Sequence, residues 1–173
     1  MTTFLPKQVL LIRHAEKTGS AGDSGLSRRG RARALALVNA LPAQYGDPDV
    51  IVACANVPKS TRPVDTIRPL ADRLRLPIED RWNTQDYEAL AQNLLTSRAF
   101  SDRRVLVCWR HETLPALARA LGAPAPHWPR TDYETVWVIE FGATPSFRVE
   151  QQQIELRAPY ELRPPLPSTG EPR

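Results

Sequence analysis

Cysteine, histidine and lysine are all scarce in this chain, and each scarcity excludes something. The two cysteines, Cys54 and Cys108, lie inside apolar runs, where a thiol behaves as a small buried hydrophobe, so no disulfide framework is implied. Three histidines without HxH, HExxH or cysteine-histidine spacing give no metal-ligand motif. No run approaches the ~20 apolar residues of a membrane span. The N-terminal stretch is interrupted by Lys7 and Gln8 and does not read as a secretory signal. These absences point to a cytoplasmic protein with no membrane partner, metal or cofactor.

Lysine is present only at positions 7, 17 and 59, so arginine supplies 20 of the 23 basic residues. The formal net charge is +4 and the sequence pI about 9.4. Nucleic-acid binding is not the expected use of that charge, because the aromatic interleaving of a single-strand platform is missing. Arginine also suits an anionic substrate, since its planar fork matches phosphate and keeps its charge near neutral pH. The 173 residues fit one domain, expected over residues 1–157, followed by a proline-rich, flexible tail over 158–173. Nothing in the sequence fixes the oligomeric state.

Among what is present, one pattern occurs twice. Gln8-Val9-Leu10-Leu11-Ile12 leads into Arg13-His14, and Val105-Leu106-Val107-Cys108-Trp109 leads into Arg110-His111. Both runs read as buried strands. Val50 to Cys54 is a further strand, and Thr135 to Phe141 and Phe147 to Leu156 read as two late strands, consistent with a hairpin.

Between the strands, Ser27 caps a helix over Arg28 to Leu41 whose face carries Leu35, Val38 and Leu41, with Pro42 and Gly46 closing it. Thr61 to Leu76 has helical spacing, with Pro63 in the first turn and Pro69 predicting a kink. Thr84 caps a helix over Gln85 to Thr96, and Leu114 to Leu121 forms a short one. Alternating strands and helices predict an α/β fold, a three-layer α/β/α sandwich with a mostly parallel central sheet and helices on both faces. The loops holding His14, Arg62 and His111 then open on one sheet edge, where ligands gather in such folds.

Two fixed positive charges and two imidazoles at that edge suit phosphoryl transfer. Guanidinium forks stabilise the non-bridging oxygens, and a neutral imidazole can attack phosphorus. Leu11-Ile12-Arg13-His14-Ala15-Glu16-Lys17 resembles the Arg-His-Gly signature of the phosphoglycerate mutase-like histidine phosphatase superfamily, with alanine where glycine is commonest. Leu26-Ser27-Arg28-Arg29-Gly30 resembles the stretch that opens the family's first long helix, Arg62-Pro63-Val64-Asp65-Thr66 its Arg-x-x-x-Thr segment, and Val105 to Gly122 the segment of its second catalytic histidine.

The resemblance implies a metal-independent phosphatase hydrolysing a phosphomonoester, with His14 as the nucleophile that becomes phosphorylated. Arg13, Arg62 and His111 would bind the phosphoryl oxygens, His111 as a cation. Substrates would be small phosphorylated molecules or a phosphoprotein. A non-catalytic phosphoryl-ligand binder on the same fold and a phosphomutase are the alternatives.

The proton donor stays open between Glu112, directly after the second histidine, and Glu79, Asp80, Asp86 or Glu88 upstream of it. Arg110 is expected at the surface rather than on the substrate, and His127 reads as a loop histidine beside a packing tryptophan. Glu16 and Lys17 could touch substrate or be solvated. The four tryptophans are expected to pack.

Overall fold

The computed structural model describes residues 4–156 of the chain. The tail expected over 158–173 lies outside the described residues. Six strands and four helices follow in the order β1 (Gln8–Arg13), α1 (Arg28–Tyr45), β2 (Val50–Cys54), α2 (Arg62–Leu74), β3 (Ile78–Trp82), α3 (Tyr87–Thr96), β4 (Arg104–Trp109), α4 (Leu114–Ala120), β5 (Thr135–Glu140) and β6 (Ser146–Gln151), with a short 3₁₀ turn at Arg98–Phe100.

The strands form one sheet in the order β3-β2-β4-β1-β5-β6. β1 to β4 run parallel, while β5 pairs antiparallel with both β1 and β6. The parallel strands carry apolar residues on both faces, as two covering helix layers require. Val9, Leu11, Val52, Cys54, Val105, Val107 and Trp109 pack under α3 and α4. Leu10, Ile12, Ile51, Ala53, Leu106 and Cys108 pack under α1 and α2. This is the expected three-layer α/β fold. No helix among the described residues is long and apolar enough to cross a membrane.

Several local expectations need correction. β3 was not expected, because Ile78-Glu79-Asp80-Arg81-Trp82 is too charged to read as a buried run; it is an edge strand, where charge discourages further pairing. α1 does not stop at Pro42 but runs to Tyr45, and Gly46, at φ 83°, ends it by donating to the Pro42 carbonyl. Its buried face is Arg33, Ala34, Leu37 and Leu41, while Leu35 is exposed. Thr84 does not cap α3; Asp86 stands at that position, and the Thr84 hydroxyl bonds Thr113 instead. β6 ends at Gln151, short of Leu156.

Other expectations match the structure. Ser27 Oγ accepts from the Gly30 amide at the start of α1. Pro63 lies in the first turn of α2. Trp109, Trp128 and Trp137 are buried, both cysteines are buried and free, and His127 is exposed in its loop.

Candidate active site

β1 ends at Arg13, and the next residue, His14, donates its amide to the Trp109 carbonyl at the end of β4. The chain therefore leaves β1 still tied to its neighbour, and His14 is buried at the carboxyl edge of the parallel strands. Its Nδ1 lies 2.8 Å from the Ala15 carbonyl oxygen. A carbonyl only accepts, so Nδ1 carries the proton, and in the neutral ring Nε2 holds a free lone pair. Burial above all, then the positive fields of Arg13, Arg62 and His111, push the His14 pKa down to about 3. The hydrogen bond to Ala15 opposes this but does not reverse it. His14 is thus an uncharged imidazole with its nucleophilic nitrogen selected by a backbone contact.

The loop around His14 is clamped from α2. The Ala15 amide donates to Thr66 Oγ1 at 2.8 Å, and the Thr66 hydroxyl donates to the Arg62 carbonyl at 2.7 Å. Thr66 is fully buried. The Arg-x-x-x-Thr spacing has a physical reason here: four residues along a helix, the hydroxyl reaches back one turn while accepting from the His14 loop. The Arg62 guanidinium is held by the Gly25 carbonyl through Nε at 3.0 Å, the Asp23 carbonyl through Nη2 at 2.6 Å and Ser60 Oγ through Nη1 at 3.3 Å.

Arg13 is almost fully buried and oriented from the loop before β5. Its Nη1 donates to the Arg130 and Asp132 carbonyls at 2.6 and 3.0 Å, its Nη2 to the Tyr133 hydroxyl at 3.2 Å, and its guanidinium carbon lies 3.9 Å from the Tyr133 ring centre. The Tyr133 ring stands 6.3 Å from that of His14. Nothing in the sequence singled out Tyr133, whose loop carries no motif and lies more than a hundred residues from Arg13.

His111 follows β4, and its side chain keeps only 12 % of its surface exposed. Burial, followed by the Arg13 charge, lowers its pKa, with the Glu112 carboxylate opposing. In the free protein the tendency is toward the neutral ring, whereas the family resemblance implied a cation when phosphate is bound. Glu112 Oε2 lies 3.2 Å from His111 Nδ1, within ion-pair reach but without hydrogen-bond geometry. Glu112 also acts electrostatically on Arg13.

The other candidate carboxyls differ in setting, and Asp86 acts on Cys54 beside Arg110. Glu79 and Asp80 line a separate cavity with Asn93, Ser97 and Phe100; Asp86 is held at Oδ2 by the Asn83 amide; Glu88 is exposed on α3.

Glu16 lines a cavity with Arg29, Arg33, Asp132 and Tyr133, and arginines rather than solvent engage its carboxylate. It receives Arg33 Nε at 3.0 Å, Arg33 Nη2 at 2.8 Å and Arg29 Nε at 2.9 Å, binding the His14 loop to α1. Burial raises its pKa, but these hydrogen bonds outweigh burial and hold the carboxyl below its ordinary value. Lys17 is exposed and contributes positive field at His111. Arg110 departs from the expected surface position: it is half-buried, and its Nε and Nη2 are buried without a hydrogen-bond partner. Among the described residues no group of three or more histidine, cysteine, aspartate or glutamate side chains could hold a metal ion.

The arrangement of strands and helices is shared with solved proteins. The chain superposes on a protein histidine phosphatase, SixA, solved with tungstate, at a TM-score of 0.59 and 19% identity, over 84% of this chain and 96% of that one. This chain has the histidine phosphatase fold. A mycobacterial glucosyl-3-phosphoglycerate phosphatase solved with inorganic phosphate matches at 0.57 and 16% identity, over 86% of this chain and 97% of that one. A phosphoglycerate mutase from Plasmodium falciparum matches at 0.55 and 15% identity, over 89% and 97%. No family model and no curated protein sequence matches the chain. Within the histidine phosphatase fold, the loops after β1 and β4 and the start of α2 carry His14, His111 and Arg62 to one sheet edge.

Proposed function

We propose that this protein is a phosphatase that hydrolyses a phosphomonoester through a phosphohistidine formed on His14, without a metal. The observation that carries this reading is the state of His14: a neutral ring whose Nδ1 proton is engaged by Ala15, leaving Nε2 free beside Arg13, Arg62 and His111. In the first step Nε2 attacks phosphorus while the bond to the alcohol oxygen breaks, and the electron pair leaves on that oxygen with a proton. In the second, water attacks the phosphorus, its proton departs to a base, and His14 leaves as the neutral ring. Arg13 and Arg62 balance the charge on the non-bridging oxygens, and His111 contributes as it gains a proton against the bound dianion.

Glu112 is our choice of proton donor and, in the second step, acceptor. Among the five candidate carboxyls it is the one whose charge acts on both Arg13 and His111. The substrate is a small phosphorylated molecule or a phosphoprotein side chain. Unpaired buried thiols at Cys54 and Cys108 fit a reducing compartment such as the cytoplasm.

The test mixes purified protein with phenyl phosphate at about pH 6 in the presence of chelator, comparing wild type with His14→Ala. Turnover by wild type alone, with acid-labile phosphate trapped on His14 after a rapid quench, is expected. Equal rates would remove the mechanism, and turnover abolished by chelator would remove its metal-free character. Phosphate binding without turnover would make the chain a phosphoryl-ligand binder.

A further inference from the structure

Buried side-chain nitrogens without a partner are rare in folded proteins, and each calls for a missing acceptor. Among the described residues there are five: Arg13 Nε, His111 Nδ1, Arg110 Nε, Arg110 Nη2 and Trp82 Nε1. Arg13 ends β1, Arg110 and His111 directly follow β4, and Trp82 ends β3. All five therefore lie at the carboxyl edge of the parallel strands. Two of them, on Arg13 and His111, belong to groups already assigned to the phosphoryl oxygens, and His111 Nδ1 also has the Glu112 carboxylate 3.2 Å away without hydrogen-bond geometry. The remaining three continue that row away from β1, toward β2 and β3.

Arg110 lies against the Cys54 sulfur, a weak acceptor that leaves most of the guanidinium donors unanswered. Cys54 is paired with Trp82 across β2 and β3, so the unpartnered indole N–H comes from the residue beside it. Asp86 is the carboxylate near this group, and its Oδ2 is engaged by the Asn83 amide. The backbone of Arg110 is fixed, its carbonyl accepting from Thr113 and Leu114. The single bonds of its side chain still let the head turn toward a ligand. A cation so placed, next in sequence to a phosphate-binding histidine, needs an acceptor-rich partner.

We propose that Arg110, aided by the Trp82 indole, forms a second anion subsite that selects phosphomonoesters whose alcohol portion carries another acidic group. That group is a carboxylate or a second phosphate, both of which present only acceptors. The proposal rests on the phosphatase reading for the position of the first phosphate. Arg110 is then a specificity-determining residue: the phosphate occupies the His14 end of the row and the second anion the β2–β3 end.

The experiment measures kcat/KM for phenyl phosphate, its 3- and 4-carboxyl derivatives and the corresponding phenylene bisphosphates, using wild type, Arg110→Gln and Arg110→Lys. Each variant's ratio of acidic to plain substrate is read, which cancels any loss of folded protein. Wild type is expected to favour at least one acidic substrate by about tenfold or more, as a charged hydrogen bond allows. Arg110→Gln should bring that ratio near one, mainly through KM, and Arg110→Lys should restore part of it. Which acidic series shows the preference identifies carboxylate or phosphate as the second group. A ratio near one across the wild-type series, or an unchanged ratio in Arg110→Gln, would overturn the subsite. If no substrate turns over, the phosphatase reading fails separately, and titration with benzylphosphonate and its carboxylated forms decides the subsite by the same ratio.

Discussion

Burying His14 as a neutral ring makes the stability of this fold depend on pH in a way that one substitution removes. The ordinary imidazole pKa of 6.5 holds in the unfolded chain, whereas in the folded protein burial and neighbouring positive charges bring it to about 3. Between those values the unfolded chain binds the proton and the folded protein does not. Stability is therefore full above pH 6.5 and falls as pH drops toward 3. At pH 5 the gap above the folded value leaves His14 neutral in the native state, while the unfolded ring is charged. The loss is about 1.4 kcal/mol per pH unit over the 1.5 units below 6.5, or about 2 kcal/mol. His14→Asn keeps a side-chain N–H for the Ala15 carbonyl but has no proton to gain. Urea unfolding of both proteins at pH 7.5 and pH 5 should show wild type losing about 2 kcal/mol more than the variant. Parallel losses, agreeing within about 0.5 kcal/mol, would mean that His14 titrates normally in the folded protein and that its environment has been misread.

Three further outcomes follow from the same loops. A Cβ on Gly30 would collide with the Glu16 backbone, which has no flexible end to move, so Gly30→Ala should lower stability by about 3 kcal/mol and displace the His14 loop, read by thermal melting and by phosphatase rate. Thr66→Val keeps the volume but orphans the Ala15 amide; a loss of about 1–3 kcal/mol is expected, with kcat falling more than KM rises. Sulfate, which does not titrate near neutrality, should draw a proton onto His111 as it binds at pH 7, because burial and Arg13 hold His111 below its ordinary value in the free protein. Calorimetry in buffers of different ionisation enthalpy should give net proton uptake, and a value of zero would exclude that role for His111.

The parallel strands were legible because double-sided burial makes them continuous apolar runs, and the ends of those runs located His14 and His111. β3 was not legible because an edge strand can be charged throughout. The loop that orients Arg13 was equally hidden. Two backbone carbonyls and the Tyr133 hydroxyl do that work, and a carbonyl leaves no trace in sequence. Glu16 was ambiguous for a related reason. Its partner Arg33 is a charged residue on the buried face of α1, where a hydrophobic pattern counts it as solvent-facing.

The doubled strand-Arg-His unit shows how far a local pattern can be trusted. If the two units were equivalent in space, Arg13 would lie opposite Arg110 and His14 opposite His111. The observed parallel register pairs Arg13 with Trp109 instead, and Gln8 with Arg104, so the second unit is displaced by one residue. In a strand a single-residue shift exchanges the two faces. The first arginine is consequently still inside β1, paired and buried, while the second has already left β4. The same displacement brings the His14 amide to the Trp109 carbonyl and leaves His111 a residue further along the loop. One dipeptide thus supplies an anchored guanidinium and an enclosed nucleophile, and the other an unanchored guanidinium and a more open imidazole. Their different chemistry follows from register, which pairs residues across strands and cannot be read along either one.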